Sequence, residues 1–257
     1  MKRIIFILTI FISLCAKAEY NNINLYKKVT DLFYQKKYKE ALLSAQKYLK
    51  KVDDNPNIGD LAALYLRIYE NHPIKGIKPV KFLLETARNK RDYISKERII
   101  LAVADFLFKH KEYKYALRFY NWLEKNHNSK SLVYDDALWN SFLIHKKLKD
   151  YPNALLYLNK IISTHSYSIY VGTYNQYHIY DAYIEKADLL LKIKKEKKAV
   201  KTLKEFIKNF SMNDRVDDAY FKLCNIESKI YCCELIKKYK YSQYYHKAEN
   251  ICDERNN

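Results

Sequence analysis

The sequence has very few of the residues that make tight turns, with 3 glycines and 4 prolines among 257 residues. An all-β sandwich or barrel needs many such residues, so this fold class is excluded. The glycines, Gly59, Gly76 and Gly172, lie too far apart to form a glycine-rich phosphate-binding loop. The H-E-x-x-H helix of zinc proteases and the G-x-S-x-G turn of serine hydrolases are also absent. These absences favour a helical protein.

The sequence also lacks any recognisable catalytic combination. Its seven histidines are scattered, and none can be linked to a serine or cysteine from the sequence. No nucleophile, base and orienting group can be named together. We therefore predict a protein that is not an enzyme, with no cofactor, no bound metal and no small-molecule substrate.

A long apolar run is absent except at the start of the chain. Two basic residues at positions 2 and 3 precede an apolar stretch over residues 4–14, and Ala16-Lys17-Ala18 has the small residues that a signal peptidase reads. A helix that spans a bilayer needs ~20 apolar residues, so this stretch is short for an anchor. We predict a signal peptide over residues 1–18, cleaved between Ala18 and Glu19, and a periplasmic protein.

A lipid anchor at Cys15 is the alternative to simple cleavage. Ile12-Ser13-Leu14-Cys15 resembles a lipobox, the sequence in which a cysteine becomes acylated. Leu14, however, stands where a small residue is usual.

The chain is strongly basic, with 47 Lys and Arg against 29 Asp and Glu. Three of the basic residues precede residue 19, so the mature chain has 44 and a net charge of +15. Such a charge attracts anionic membranes or phosphate groups, but a solvated lysine surface is the simpler explanation. We expect no nucleic-acid partner, because lysine far outnumbers the arginine that specific contacts favour. The abundance of Lys, Asn, Ile and Tyr resembles proteins of A+T-rich genomes such as those of spirochaetes.

Four cysteines remain after cleavage, and all of them lie in the last 34 residues of the chain. They are Cys224, Cys232, Cys233 and Cys252. In an oxidising compartment an even number suggests disulfides. A bond between the adjacent Cys232 and Cys233 would be strained, so the two remaining pairings are preferred. The alternative is that the four are small buried apolar residues.

A pattern recurs along the chain: an apolar helical stretch, a short polar turn, Tyr-x-x-Ala, and a second apolar stretch. It is seen in residues 33–42, 104–117 and 142–155, and again in 187–200, where Glu196 replaces the tyrosine. The spacings are 38 residues from Ala116 to Ala154, 45 from Ala154 to Ala199 and 34 from Ala199 to Cys233. Recurrence at such distances is typical of helical repeat proteins.

These segments resemble tetratricopeptide repeats, in which two antiparallel helices meet at small residues. The two small positions are taken by Ala104 with Ala116 and by Ala187 with Ala199, whereas the pairs Phe142–Ala154 and Val29–Ala41 have only the second. The repeats are therefore degenerate, and the resemblance covers about two thirds of the mature chain.

The predicted fold is an all-α solenoid of about six antiparallel helix pairs plus a C-terminal capping helix, in a single domain over residues 19–257. The pair over 58–89 is the most degenerate, because Pro73, Gly76 and Pro79 interrupt it. The predicted pairs span 21–52, 58–89, 95–126, 131–164, 173–209 and 214–240, and the cap spans 242–253.

The first helices of such repeats line a concave groove, and aromatic side chains there supply large contact areas. Registering each repeat on its alanine places nine side chains on this groove, although a shift of one residue would make them core instead. The candidates are Tyr26, Phe33, Tyr34, Leu101, Phe108, Trp139, Leu143, Lys146 and Lys147.

The resemblance implies a scaffold that binds another protein. We predict a periplasmic scaffold that binds or stabilises another envelope or outer-membrane protein through its groove, with lysines that attract acidic segments. The alternative is a basic adaptor that adsorbs to anionic membrane lipid or to an anionic envelope polymer.

Overall fold

The computed structural model describes residues 26–51, 57–126, 132–165 and 176–253. These residues form helices, turns and short loops, and none of them belongs to a strand. The all-α fold class predicted from the sequence is confirmed. The predicted signal peptide, its cleavage site and Cys15 lie outside the described residues.

The described residues form thirteen helices, and the six predicted pairs and the final single helix all occur. The helices are α1 (26–34), α2 (Tyr38–Lys51), α3 (Ile58–Asn71), α4 (Pro79–Asn89), α5 (Tyr93–Lys109), α6 (Tyr113–Asn126), α7 (Leu132–Lys147), α8 (Tyr151–His165), α9 (Gln176–Lys192), α10 (Glu196–Asn209), α11 (Val216–Ile226), α12 (Ile230–Lys238) and α13 (Tyr245–Asp253).

The chain divides into two compact units, residues 1–127 and 128–257. In the first unit α5 packs on α3, α4 and α6, while α2 packs on α3. In the second unit the helices from α7 to α13 pack in chain order, each against the next. The single domain predicted over residues 19–257 stays a prediction.

The small residues that defined the repeats lie where the helices meet. Ala41, Ala116, Ala154 and Ala199, each in the first half of a second helix, have no exposed surface. Their four partners on the first helices are equally buried: Val29, Ala104, Phe142 and Ala187. Both positions of each pair are therefore buried inside the hairpin, as the repeat pattern predicts.

Four hairpins close with the same turn. Lys36, Lys111, Lys149 and Lys194 each have a φ angle near +60°, in the left-handed region. In each turn this lysine's N–H donates to the carbonyl three residues earlier, and the next N–H donates to the carbonyl five residues earlier. This pattern ends a helix and usually places glycine at the left-handed position, so lysine there is unusual.

The second helix pair departs from this geometry. Residues 72–78 connect α3 to α4, and they contain Pro73 and Gly76, whose φ angle is +87°. Pro79 then begins α4, at a position where its missing N–H costs nothing. Because α3 packs mainly on α2 and α5 rather than on α4, this pair is the loosest, in agreement with its degenerate sequence.

A buried acid lies on α5. The side chain of Glu97 is 1% exposed, and it forms a hydrogen bond with the Tyr93 hydroxyl. Burial raises the pKa of Glu97 to about 7, because the charged form loses its hydration. Between its ordinary pKa and this value, the folded protein holds a proton that the unfolded chain has already lost.

The stability of the first unit should therefore fall as the pH rises from about 4.5 to about 7, by about 3 kcal/mol. Glu97→Gln carries no charge at any pH, so it should raise the free energy of unfolding by that amount at pH ~8 and leave it nearly unchanged at pH ~4. Urea unfolding at the two pH values measures this. The exposed Glu85 on α4 supplies the control substitution, Glu85→Gln. An equal change at both pH values would contradict the proposed titration.

Candidate functional site

The nine predicted groove residues divide between the two units. Five lie in the first unit, on α1 and α5, and the four from Trp139 to Lys147 lie on α7 in the second unit.

Phe33 and Phe108 occupy equivalent positions in their hairpins. Each lies three residues before the left-handed lysine, and each half-buried ring faces the tyrosine that begins the second helix. The ring centroids are 5.8 Å apart for Phe33 and Tyr38 and 6.0 Å apart for Phe108 and Tyr113. These two side chains therefore help to hold the hairpin together while part of each ring stays accessible.

The remaining candidates of the first unit differ in exposure. Tyr34 is 74% exposed, whereas Tyr26 and Leu101 are half-buried. The guanidinium of Arg67, on α3, lies 5.7 Å from the centroid of the Phe33 ring. The first helices of this unit therefore present a mixed aromatic and charged surface.

An ion pair that the sequence analysis missed links α3 to α5. Lys109 Nζ lies 2.7 Å from one carboxylate oxygen of Glu70, and His110 Nε2 lies 3.3 Å from the other. The hydrogen bond from Lys109 lowers the pKa of Glu70, because it stabilises the charged form. The partners are 39 residues apart, close to the repeat period.

Trp139 lies at the centre of a cluster of aromatic and polar side chains in the second unit. Its ring stacks on the imidazole of His178 from α9, with centroids 4.8 Å apart and planes inclined by 17°. It also lies 4.9 Å from the ring of Phe142. The His178 Nε2 atom lies 3.4 Å from Asp136 Oδ1, so Asp136 and Trp139 hold the imidazole between them. All three polar or aromatic groups keep some solvent exposure.

A second contact joins α7 and α9 about two helical turns further toward their C-terminal ends. Lys146 Nζ, on α7, lies 2.5 Å from Glu185 Oε2 on α9, and it also lies 5.7 Å from the centroid of the Phe142 ring. Leu143 is half-buried against the core between α7 and α8, and Lys147 is exposed. The charge on Lys146 is therefore balanced within the protein.

Two further acidic side chains on α9 pair with basic residues at the start of α11 and within it. Asp181 forms an ion pair with Arg215, and Asp188 Oδ1 lies 2.6 Å from Lys222 Nζ. On α9, two side chains therefore contact α7, one contacts Arg215 just before α11, and one contacts α11. We call the set His178, Asp181, Glu185 and Asp188, with their partners, the polar ladder.

The polar ladder could have been suspected from the sequence. Its four members on α9 are separated by three, four and three residues, which places them on one helix face. Their partners lie 34, 39 or 42 residues away, close to one repeat length. The nine side chains that registration on the alanines placed on the groove lie on α1, α5 and α7, so this acidic face of α9 was not predicted.

The four cysteines lie at the end of the second unit. Cys224 of α11 is bonded to Cys232 of α12, and Cys233 of α12 is bonded to Cys252 of α13. The Cα atoms are 5.2 Å apart in both pairs. Of the two pairings left open by the sequence, the structure has this one, and it connects three consecutive helices.

The described part of the chain contains neither a metal-ligand cluster nor a helix that could span a membrane. It contains no group of three or more His, Cys, Asp or Glu residues placed to hold a metal ion. Its helices are also each too short or too polar to cross a bilayer.

The protein is similar to known proteins in structure but not in sequence. No protein family model matches the sequence, and no curated protein matches it. The apo form of RapI matches with a TM-score of 0.52 at 13% identity, over 90% of this chain and 92% of that chain. BtubC from P. vanneervenii matches with a TM-score of 0.53 at 11% identity, over 94% and 92%.

A tetratricopeptide repeat protein from Parabacteroides merdae matches less well, with a TM-score of 0.40 at 16% identity, over 90% of this chain and 97% of that chain. The likeness to RapI and BtubC agrees with the fold that the resemblance to tetratricopeptide repeats predicts, an all-α chain of antiparallel helix pairs. At these identities the likeness establishes the fold.

Proposed function

We propose that this tetratricopeptide-like protein is a non-enzymatic scaffold that binds a segment of another protein along the surface formed by α7, α9 and α11. The observation that carries the proposal is the cluster around Trp139. Its ring is preorganised by His178 and remains partly accessible beside the polar ladder. A large aromatic ring already held in place loses little conformational entropy when a partner packs on it.

The polar ladder supports the same proposal. Its side chains are between 27% and 46% exposed, so a partner can reach both signs of charge. Lys146 is already paired with Glu185, and it is therefore not a free attractor for acidic segments. A segment that carries an apolar anchor together with both acidic and basic residues suits this surface better than a uniformly acidic one.

We place this scaffold in the periplasm and its partner in the cell envelope. The support is the N-terminal pattern of two basic residues, an apolar stretch and Ala16-Lys17-Ala18. The geometry of the two cysteine pairs agrees with it, because disulfides persist in oxidising compartments.

Site-specific crosslinking in the native host tests the proposal. A photoreactive residue at Leu143 or Lys147 should capture one protein, whereas the same residue at Leu156, which is 48% exposed on α8, should not. Trp139→Ala should reduce the captured amount at least about tenfold, as expected for loss of an aromatic anchor. Equal capture from all three positions, or capture that Trp139→Ala leaves unchanged, would contradict binding at this surface.

A further inference from the structure

One edge of the second unit is unusually rich in lysine. The α7–α8 turn and the α9–α10 turn lie side by side, since Lys192 Nζ at the end of α9 lies 5.2 Å from the centroid of the Tyr151 ring at the start of α8. Seven exposed lysines occupy these turns and the helix ends beside them. This lysine edge consists of Lys147, Lys149, Lys192, Lys194, Lys195, Lys197 and Lys198.

The lysines of this edge are not used in ion pairs. None of the seven forms a salt bridge with a carboxylate among the described residues, in contrast to Lys146 and Lys222 nearby. Two acids lie in the same turns, and one of them, Asp150, already interacts with His145 and Asn153. The positive charge of the edge is therefore available to an outside partner.

The charges of the second unit are also separated between its two edges. The first helices begin at the opposite edge, where α7 and α11 each start with a pair of acids. These are Asp135 with Asp136 and Asp217 with Asp218. Asp135 and Asp218 are buried, and Asp136 and Asp217 contact His178 and Ser242, so the lysine edge carries the unpaired exposed charge, which attracts a negatively charged surface.

Helix stability does not explain these lysines. Lys149 and Lys194 hold left-handed positions that glycine fills with less strain. Lys197 and Lys198 lie in the first turn of α10, where the helix dipole disfavours positive charge.

The identity of the side chains favours a bilayer as the partner. The edge contains lysine and no arginine, and hydrated point charges suit diffuse adsorption better than bidentate recognition of single groups. Leu148 is 53% exposed between Lys147 and Lys149, so an apolar side chain projects from the tip of the turn. We infer that the lysine edge docks this protein onto an anionic phospholipid bilayer, with Leu148 inserted among the headgroups.

Vesicle sedimentation with the chain from Glu19 onward tests the inference. Binding is expected to vesicles with about one third phosphatidylglycerol, and not to vesicles of phosphatidylcholine alone. It should fall sharply as the salt rises from about 0.1 to about 0.5 M, because exposed charges are screened. Absence of binding to the anionic vesicles, or equal binding to the neutral ones, would overturn the inference.

Two variants with equal net charge locate the binding surface. Substitution of Lys194, Lys195 and Lys197 by Glu should weaken vesicle binding at least about tenfold. The same change at the exposed Lys237, Lys240 and Lys247, on the last two helices of the unit and the turn between them, should weaken it less than about threefold. Equal losses in the two variants would show that net charge alone matters and would overturn the assignment to this edge.

The contribution of Leu148 is measured separately. Leu148→Ser should weaken vesicle binding about three- to tenfold, without a change in helical circular dichroism. Trp139→Ala should leave vesicle binding unchanged, which separates this inference from the proposed protein-binding surface. Tighter binding to soluble polyglutamate than to the anionic vesicles would assign the edge to an acidic polymer and would overturn the bilayer docking.

Discussion

Phe142→Ala will destabilise the second unit by about 3–5 kcal/mol. The side chain has no exposed surface, and it packs in the core formed by α7, α8 and α9. Its loss removes a large buried apolar area and leaves a cavity beside Ala154. The tetratricopeptide pattern has a small residue at this position, so repeat consensus alone would predict the opposite sign.

The two tryptophans allow the effect to be measured in the correct unit. Trp122 lies in the first unit and Trp139 in the second, so a Trp122→Phe background confines the fluorescence signal to the second unit. Leu143→Ala, one residue away and only half-buried, is the control and should cost about 1–2 kcal/mol. A Phe142→Ala variant as stable as its parent would show that α7 and α8 close the gap.

Removal of the two disulfides will destabilise the end of the second unit by about 3 kcal/mol for each bond. The bonds close loops of 8 and 19 residues, so each restricts the unfolded chain. Both α12 and α13 have only 9 residues, too few for a stable isolated helix. We therefore expect α13 to detach first when Cys233 and Cys252 are replaced by alanine.

Amide hydrogen exchange with and without a reductant measures this loss. Reduction should accelerate exchange in residues 216–253 and leave residues 58–126 of the first unit unchanged, which serve as the internal control. Thiol titration in denaturant, on protein made in its own host, checks the bonds themselves. Four free thiols would contradict the disulfides.

Much of the helical architecture could be predicted from the sequence, because each repeat carries its own signals. The buried alanines, such as Ala116 and Ala154, mark where two helices touch, and the polar residues around Lys111 and Lys149 mark the turn between them. Because these signals are local, they predicted the ends of the helix pairs to within a few residues. The division into two units has no such local mark and was not predicted.

The candidate site was harder to predict, because its geometry depends on neighbouring repeats. Registering α7 identified the face that carries Trp139 and Lys146, but it did not identify what lies opposite. His178 and Glu185 stand one repeat away, and their approach depends on how α9 packs beside α7. The choice between two cysteine pairings likewise depended on the distances between three helices.

The position of the cysteines affects how the chain can be oxidised. A chain that enters an oxidising compartment N-terminus first exposes no cysteine between residue 19 and Cys224. By then all helices before α11 have been delivered and can assemble without competing thiol chemistry. Cys252 arrives last, so the correct partner of Cys233 becomes available only when translocation is nearly complete. For a chain exported in this way, oxidation would be the final step of maturation, and errors in thiol pairing would be confined to the last three helices.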